Sequence, residues 1–182
     1  MIKSNLKIVP IGTNEAKILS DLAKEIYIPH YPYLWNPGGV EWYINEFAYP
    51  LHKIEAEIKE ANNLHYLVYL DEVAVGYLKI NIQTQAKGFD PIDTMELERI
   101  YLLQSVTGKG IGEQLIQFVK ALAKEYQKKT LILKAMDSAK AALQFYQKMG
   151  FEIVGNFRLP DEVFTLMKPE YRGMYILAHT II

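Results

Sequence analysis

Three glycines stand within five positions of the segment LLQSVTGKGIGEQL, residues 102–115, and this spacing is the feature best suited to chemistry. Gly108, Gly110 and Gly112 follow an apolar run typical of a strand and precede a pattern typical of a helix. A glycine-rich turn before a helix exposes backbone N–H groups at the positive end of the helix dipole, which suits a phosphate. Lys109 adds a mobile positive charge. The segment is therefore a candidate phosphate-binding loop.

Two familiar phosphate-binding loops are excluded by their spacing. A Walker A loop requires a glycine five residues before its Gly-Lys-Ser/Thr, and Leu103 occupies that position. A dinucleotide-binding fingerprint that begins at Gly108 requires glycine where Glu113 stands, and one that begins at Gly110 requires it where Leu115 stands. From this loop alone, a tight strand-to-helix turn without a ligand stays open as an alternative.

Composition indicates a globular protein and excludes several classes of function. The 182 residues, 50% hydrophobic and 23% charged, suit a single domain over 1–182. The 20 basic and 21 acidic residues nearly cancel, so neither nucleic acid nor a membrane surface is expected as partner. The absence of cysteine excludes disulfides, and the 4 histidines lack metal-binding spacing, so we expect no metal. Without a signal-like N-terminus or membrane span, we expect a cytoplasmic protein.

The N-terminal half is predicted to contain two helices and a hairpin. A strand at 6–10 precedes a helix that begins at Asn14 and ends at Pro29. The stretch 29–43 carries three prolines, a Gly-Gly pair and many aromatic residues, which predicts a loop with little regular structure. A helix at about 51–61 follows. Two β-rich runs, 65–70 and 73–81, joined by Asp71-Glu72, predict the hairpin.

The C-terminal half is predicted to alternate strands and helices. A strand at 94–103 leads into the glycines, after which an amphipathic helix runs from Ile111 to near Lys128. TLILKA, from 130, is a continuously apolar strand, and a helix over about 138–149 is capped by Asp137 or Ser138 and closed by Gly150. FEIVG and MYILAHTII supply two last strands. This order predicts a mixed α/β sheet.

A second segment, AALQFYQKMGFEIVG, pairs a helix bearing Tyr146 with a Gly-Phe entry into a strand. With it, the sequence resembles the GNAT superfamily of acetyl-CoA-dependent N-acetyltransferases over at least residues 65–155. MELERIYLL, GKGIG and AALQFYQKMGFE, with VAVGYLKIN upstream, look most like the small bacterial polyamine-type (PaiA-like) branch. The resemblance implies a mixed α/β fold whose central, mostly antiparallel sheet of six to seven strands is splayed at the cofactor cleft and flanked by about four helices.

The resemblance also implies acetyl-CoA as co-substrate. The family pattern Gln/Arg-x-x-Gly-x-Gly begins at Thr107, which departs from it, and Ala139 stands where relatives commonly carry an asparagine that hydrogen-bonds the cofactor. Ser138 or a backbone group would have to replace that bond. The pantetheine arm is expected in the splayed gap, bonded to the backbone of 101–103. The cofactor-binding residues implied are Tyr101, Leu102, Leu103, Thr107, Gly108, Lys109, Gly110, Ile111, Gly112, Ser138 and Tyr146.

Three side chains are implied in catalysis. An amine must lose a proton before it attacks, and Glu96 and Glu98, which share one strand face, are both candidate general bases. The alternative, that either only pairs with a cation such as Arg99 or faces solvent, stays open. Tyr146 would protonate the leaving thiolate, unless it is a core tyrosine. The amide of Leu102 would stabilise the charge that develops on the thioester oxygen.

The expected acceptor is the primary amine of a small molecule, polyamine-like, an amino acid or similar, in a pocket lined by His30, Tyr31, Tyr33 and Trp35. The alternatives are a protein or peptide N-terminal acetyltransferase and a non-catalytic acyl-CoA-binding sensor. A homodimer is expected through MYILAHTII, if that apolar run forms a sheet edge. Polyamine specificity would require an acidic pocket. Its acidic candidates are Glu41, Glu46, Asp90, Asp93, Glu96 and Glu98.

Overall fold

Seven strands form one sheet in the computed structural model, which describes residues 5–182. The order is β1-β2-β3-β4-β5-β7-β6, and every neighbouring pair is antiparallel except β4 and β5. The predicted mixed, mostly antiparallel sheet is thus confirmed; residues 1–4, included in the expected domain and N-terminal segment, lie outside the described residues. The strands are β1 Leu6–Pro10, β2 Asn63–Leu70, β3 Val73–Asn81, β4 Thr94–Leu102, β5 Thr130–Met136, β6 Glu152–Arg158 and β7 Gly173–Thr180.

Five α-helices lie in the described part of the chain, and four of them were predicted. The unpredicted one begins after Gly38, whose φ is +83°, and continues as a π-helical turn, Tyr43–Phe47. Its aromatic side chains pack into the core beside α1, so tertiary packing rather than helix propensity forms it, and the predicted irregular loop is wrong there. The helices are α1 Ala16–His30, α2 Gly39–Trp42, α3 Leu51–Lys59, α4 Ile111–Glu125 and α5 Lys140–Lys148.

Strand β4 contains a β-bulge. Lys79 pairs with Arg99 and Ile80 with Leu97, so Glu98 is an extra residue between the two pairs. The bulge reverses the alternation of side chains along the strand: Leu97 and Ile100 both pack in the core beneath α4 and α5. Arg99 and Tyr101 consequently share the opposite face of the sheet, towards α1, with Glu98.

The sheet opens directly beside this bulge. Strands β4 and β5 pair from Thr94↔Thr130 to Leu97↔Leu133 only, although β4 runs to Leu102 and β5 to Met136. We call this opening the β4–β5 split. It confirms the splayed sheet that the resemblance implied. It also lies between the two hydrophobic cores, one against α4 and α5 and the other against α1 to α3.

Two local predictions are wrong. The residue before α5 is Ala139, and no side chain among the described residues caps that helix, so Asp137 and Ser138 are not caps. Strand β7 lies between β5 and β6 and is therefore not a sheet edge, which removes the reason given for a dimer through MYILAHTII. The predicted C-cap is confirmed, since Gly150 has φ +82°.

Candidate active site

The predicted glycine loop, residues 107–112, connects β4 to α4 and is largely exposed to solvent. Gly108 and Gly110 have φ of +73° and +77°, a conformation that other L-residues adopt at a cost. Gly112 has a different reason to be small: a Cβ there would lie 3.3 Å from the Phe145 ring. The first turn of α4 can therefore pack closely against α5.

Six consecutive backbone amides of this region are free. The N–H groups of residues 108–113 donate to no group within residues 5–182, and the first helical bond runs from Gln114 N–H to Gly110 O at 3.2 Å. No described side chain caps α4, because the Thr107 hydroxyl donates to Gln104 O at 2.9 Å instead. The exposed amides at the positive end of a 15-residue helix form an anion-binding arrangement.

The backbone of Leu102 faces the β4–β5 split. Leu103 N–H donates to Val75 O of β3 at 2.8 Å. Successive residues of a strand direct their N–H and C=O groups to opposite sides, so Tyr101 also faces β3 and Leu102 faces the gap. Of the three residues predicted to bind pantetheine through their backbone, Leu102 has the free peptide groups. The amides of Tyr101 and Leu103 face β3.

A cavity of about 480 Å³ lies over the β4–β5 split. Its floor consists of residues beyond the last β4–β5 pair, Glu98, Arg99 and Tyr101 of β4 and Lys134 and Met136 of β5, together with Glu96 and Asn81. The walls are mostly aromatic and come from α1 and the segment up to 48. Residues of the β6–β7 connection cover it. The wall and cover residues are Tyr27, Tyr31, Leu34, Trp35, Tyr43, Phe47, Ala48, Leu159, Phe164 and Met167, with Met174 of β7 beside them.

Two of the four residues predicted for the acceptor pocket line the cavity. Tyr31 and Trp35 line the cavity, as expected. His30 and Tyr33 do not line it: Tyr33 is about half exposed and packs edge-on against Tyr171 with ring centroids 5.4 Å apart. Tyr27 and Tyr31 are four residues apart, one helical turn, so both side chains face the cavity. His30 and the other residues between them lie on other faces of the helix.

Glu96 is buried at the cavity floor with a partner for each oxygen. Its Oε1 lies 2.9 Å from Lys134 Nζ. Its Oε2 accepts hydrogen bonds from the Thr84 hydroxyl at 2.5 Å and from Asn81 Nδ2 at 3.4 Å. Glu96 and Glu98 both line the cavity, so they share one face of β4, as predicted.

Glu98 is the more exposed carboxylate and is held by cations. Lys79 Nζ donates to it at 2.9 Å, Asn81 Nδ2 at 2.8 Å, and Arg99 Nη2 lies 3.4 Å away. Burial would raise the pKa of Glu98, but Arg99, Lys79 and the hydrogen bonds outweigh burial and hold that pKa below its ordinary value. Glu57 completes the cluster, with two bonds from Arg99 at 3.0 and 3.2 Å. The Arg99 contact foreseen as the alternative role of Glu98 is therefore present.

Tyr146 lies on α5 and packs against the core beneath that helix. Its ring packs against Phe145 and Phe151, with centroids 5.3 and 6.2 Å away. Burial, with a smaller contribution from the Tyr31 phenol, raises the pKa of Tyr146 to about 12. Tyr31 packs in the core on the other face of the sheet from Tyr146, so the Tyr31 phenol affects the pKa of Tyr146 from across the sheet. Tyr146 is protonated at neutral pH and can donate a hydrogen bond.

Comparison with known proteins gives the family. The sequence profile of the Acetyltransferase (GNAT) family matches residues 22–151, more than half of the chain. The chain belongs to the GNAT acetyltransferase family. An uncharacterized N-acetyltransferase in the pepI 3′ region of Lactobacillus delbrueckii subsp. lactis is 31% identical over 115 residues. That match covers 63% of this GNAT chain and 63% of the relative, less than two thirds of its length.

Solved structures share the fold of this GNAT chain. The PaiA N-acetyltransferase of Thermoplasma acidophilum, in complex with coenzyme A, has a TM-score of 0.75 and 19% identity over 97% of this chain and 99% of that one. A GNAT family acetyltransferase of Elizabethkingia anophelis with acetyl-CoA bound has a TM-score of 0.64 and 19% identity over 98% and 99% of the two chains. These likenesses establish the fold.

Sequence reasoning missed several residues of the GNAT cavity. Lys134 is the single charge within the apolar run TLILKA, and a lone lysine in a buried strand was a signal that could have identified it. Asn81 and Thr84, which hold the carboxylates, carried no such signal. Within residues 5–182, no group of three or more His, Asp or Glu residues could hold a metal ion, and no helix is long and apolar enough to cross a membrane.

Proposed function

We propose that this GNAT chain is an N-acetyltransferase that moves an acetyl group from acetyl-CoA to the primary amine of a small molecule. One observation carries the proposal: β4, which borders the β4–β5 split and the 480 Å³ cavity, leads through a short connection to the free amides of residues 108–113. The coenzyme A and acetyl-CoA in two solved relatives support the choice of cofactor.

The residues present fit coenzyme A. The amides of residues 108–113 would hold the pyrophosphate, with Lys109 exposed beside them. The Leu102 N–H and C=O would hydrogen-bond the pantetheine arm as an added strand does. Ala139 offers no side-chain hydrogen bond, and Ser138 is exposed next to it. Acetyl-CoA would supply an activated acetyl thioester.

The side chains around the split then have separate roles. Leu102 N–H donates to the oxygen on which negative charge develops. Glu96 or Glu98 accepts the proton of the acceptor ammonium, directly or through water, and as the C–N bond forms and the C–S bond breaks the nitrogen releases its second proton to the leaving thiolate or to solvent. Tyr146 donates a hydrogen bond to the leaving sulfur. Because a phenol of pKa about 12 is a weaker acid than a thiol of pKa about 8.5, this bond stabilises the thiolate without complete proton transfer.

The covered cavity favours a small acceptor over a peptide. The β6–β7 connection is bonded to the segment after α1, by Asn36 N–H to Leu166 O and by Lys168 N–H to Leu34 O, each at 2.9 Å. A peptide acetyltransferase would need an open groove at this position. Both carboxylates line the cavity and the chain carries the tyrosine on α5, which argues against a non-catalytic sensor. The PaiA-like branch stays a prediction.

Two measurements on the purified protein test the proposal. Calorimetry should detect binding of coenzyme A, and thiol release from acetyl-CoA should depend on added amine. Tyr146→Phe should lower turnover, whereas Tyr126→Phe, which removes an exposed hydroxyl at the end of α4, should not. Absence of coenzyme A binding would overturn the proposal. Binding without turnover for any amine would support the sensor.

A further inference from the structure

We infer that the acceptor is an α-amino acid with an aromatic or large apolar side chain, rather than a polyamine. The inference rests on the proposed acetyl transfer and narrows its acceptor. The charge balance of the cavity floor and the character of its walls carry it.

The floor has no net negative charge. The ion-pair cluster at and beneath it contains three carboxylates and three cations, paired at 2.9–3.4 Å in one group of four and one separate pair, Glu96–Lys134. His65 beside it stays neutral at pH 7, because burial and the Lys79 charge lower its pKa to about 4. The acidic pocket that polyamine specificity would require is not formed: Glu41, Glu46, Asp90 and Asp93 do not line the cavity. The cluster consists of Glu57, Glu96, Glu98, Lys79, Arg99 and Lys134.

A polyamine would leave charge unpaired here. Only the amine that is acetylated loses its proton, so at least one further ammonium would enter the cavity. Glu96 and Glu98 each already pair with a cation, one of them must also accept the proton of the acetylated amine, and no third carboxylate is found among the described residues that line the cavity. An ammonium that loses its water without gaining a partner is strongly disfavoured.

Lys134 provides a place for a carboxylate. Its ammonium lines the cavity, its side chain is 32% exposed, and its contact within the described chain is Glu96 Oε1 at 2.9 Å. An ammonium has three N–H donors, so two remain for a ligand. An amino acid carries its amine and its carboxylate on one carbon. Its carboxylate can therefore bind Lys134 while its amine faces Glu96 or Glu98, and a ligand of zero net charge meets a floor of zero net charge.

The walls suit an apolar side chain rather than a second cation. Ring centroids are 4.7 Å apart for Tyr27–Tyr31 and for Tyr27–Tyr43, and 5.1 Å apart for Trp35–Tyr43. The rings cover one another's faces, which leaves less ring face for a cation than an open aromatic cage offers. Phe47 and the methionines beside the rings add polarisable apolar surface.

A matched substrate panel tests the inference. Phenylalanine, tryptophan and leucine are compared with phenethylamine, tryptamine and isopentylamine, which lack the carboxylate, and with spermidine. Rates are corrected for the fraction of free amine. We expect kcat/KM for each amino acid to exceed that of its carboxylate-free partner by about tenfold or more, and spermidine to be the poorest acceptor.

Two lysine variants locate the effect. Lys134→Met should bring the ratio of amino acid to carboxylate-free amine close to one. Lys17→Met removes a lysine that pairs with Asp21 at 2.6 Å on the surface of α1, and it should leave the ratio as in the wild type. The wild-type panel tests the inference even if Lys134→Met does not fold.

Three results would overturn the inference. They are spermidine as the best acceptor, equal kcat/KM of the wild type for each amino acid and its carboxylate-free amine, or an equal loss of kcat/KM for both compounds of a pair in Lys134→Met. In each of them acetyl transfer still occurs, so the proposed function stands. If no compound of the panel releases thiol, the proposed function itself fails.

Discussion

Replacement of Gly110 by alanine tests the glycine loop most sharply. Gly110 has φ +77°, and a Cβ built there meets no described atom within 4 Å. Space is therefore not the obstacle. The added methyl group disfavours the left-handed conformation itself, and that conformation directs the neighbouring free amides outward.

The magnitude follows from the backbone conformation. An L-residue in the left-handed region costs about 1–2 kcal/mol relative to glycine. No hydrogen bond from the N–H groups of residues 108–113 to the described chain holds the loop in place, so alanine can relax to negative φ in the free protein. Coenzyme A must then restore the original conformation. Because 1.4 kcal/mol is a factor of ten, its affinity should fall about 5- to 30-fold.

Gly88 offers a matched control. It has φ +90° and also has no described atom within 4 Å of a built Cβ, but it lies in the β3–β4 connection, outside the cavity lining and the glycine loop. Gly88→Ala introduces the same conformational penalty away from the proposed cofactor. Calorimetric titration of both variants and the wild type with coenzyme A, alongside urea unfolding, separates affinity from stability.

The reasoning is refuted if Gly110→Ala binds coenzyme A as tightly as the wild type. It is equally refuted if Gly88→Ala weakens binding by the same factor, because the effect would then not be local to the loop. An intact fold in all three proteins, measured by circular dichroism, is the condition for the comparison.

Three further predictions concern neighbouring parts of the molecule. Tyr146→Phe removes one hydrogen bond to a developing charge, so steady-state thiol release should show kcat about 10- to 100-fold lower; an unchanged kcat would exclude the role. The pKa of His65 is lowered from 6.5 to about 4, so as the pH falls the unfolded state binds a proton on this histidine before the folded state does. The free energy of unfolding should therefore keep its whole His65 contribution above pH 6.5 and fall by about 3 kcal/mol as pH drops to 4. Urea unfolding against pH should lose this slope in His65→Leu, and parallel curves for variant and wild type would contradict it. Buried Arg172 donates to Met167 O and Thr165 O, so Arg172→Ala should lower the free energy of urea unfolding by about 2–4 kcal/mol, against under about 1 for the half-exposed Arg158→Ala; equal losses would argue against a stabilising role of these Arg172 hydrogen bonds.

The parts predicted from sequence are those with local signals. The hairpin strand Val73–Asn81 has the predicted bounds, because alternating apolar residues and a two-residue turn determine it. Asp71 and Glu72 of that turn both have positive φ, at 49° and 68°, as its geometry requires. The glycine loop and the C-cap at Gly150 are local in the same sense.

The parts that failed depend on contacts distant in sequence. The bulge at Glu98 arises from the pairing of β4 with β3, and nothing within β4 alone marks it. It nevertheless decides that Arg99 joins the carboxylates. Helix α2 likewise depends on aromatic packing in the core. The prolines and glycines before it predict a loop and give no sign of that packing. The charge balance of the cavity was likewise not readable from the sequence, because cations from other strands, Lys79 and Lys134, neutralise the carboxylates.

Amide hydrogen exchange with and without coenzyme A tests the central claim most directly. We predict that the amides of residues 108–113 and of Leu102 exchange more slowly when coenzyme A is added, while the amide of Gly88 exchanges at the same rate. If coenzyme A binds and leaves the exchange of residues 108–113 and Leu102 unchanged, the cofactor does not lie between this loop and the β4–β5 split, and the account is contradicted.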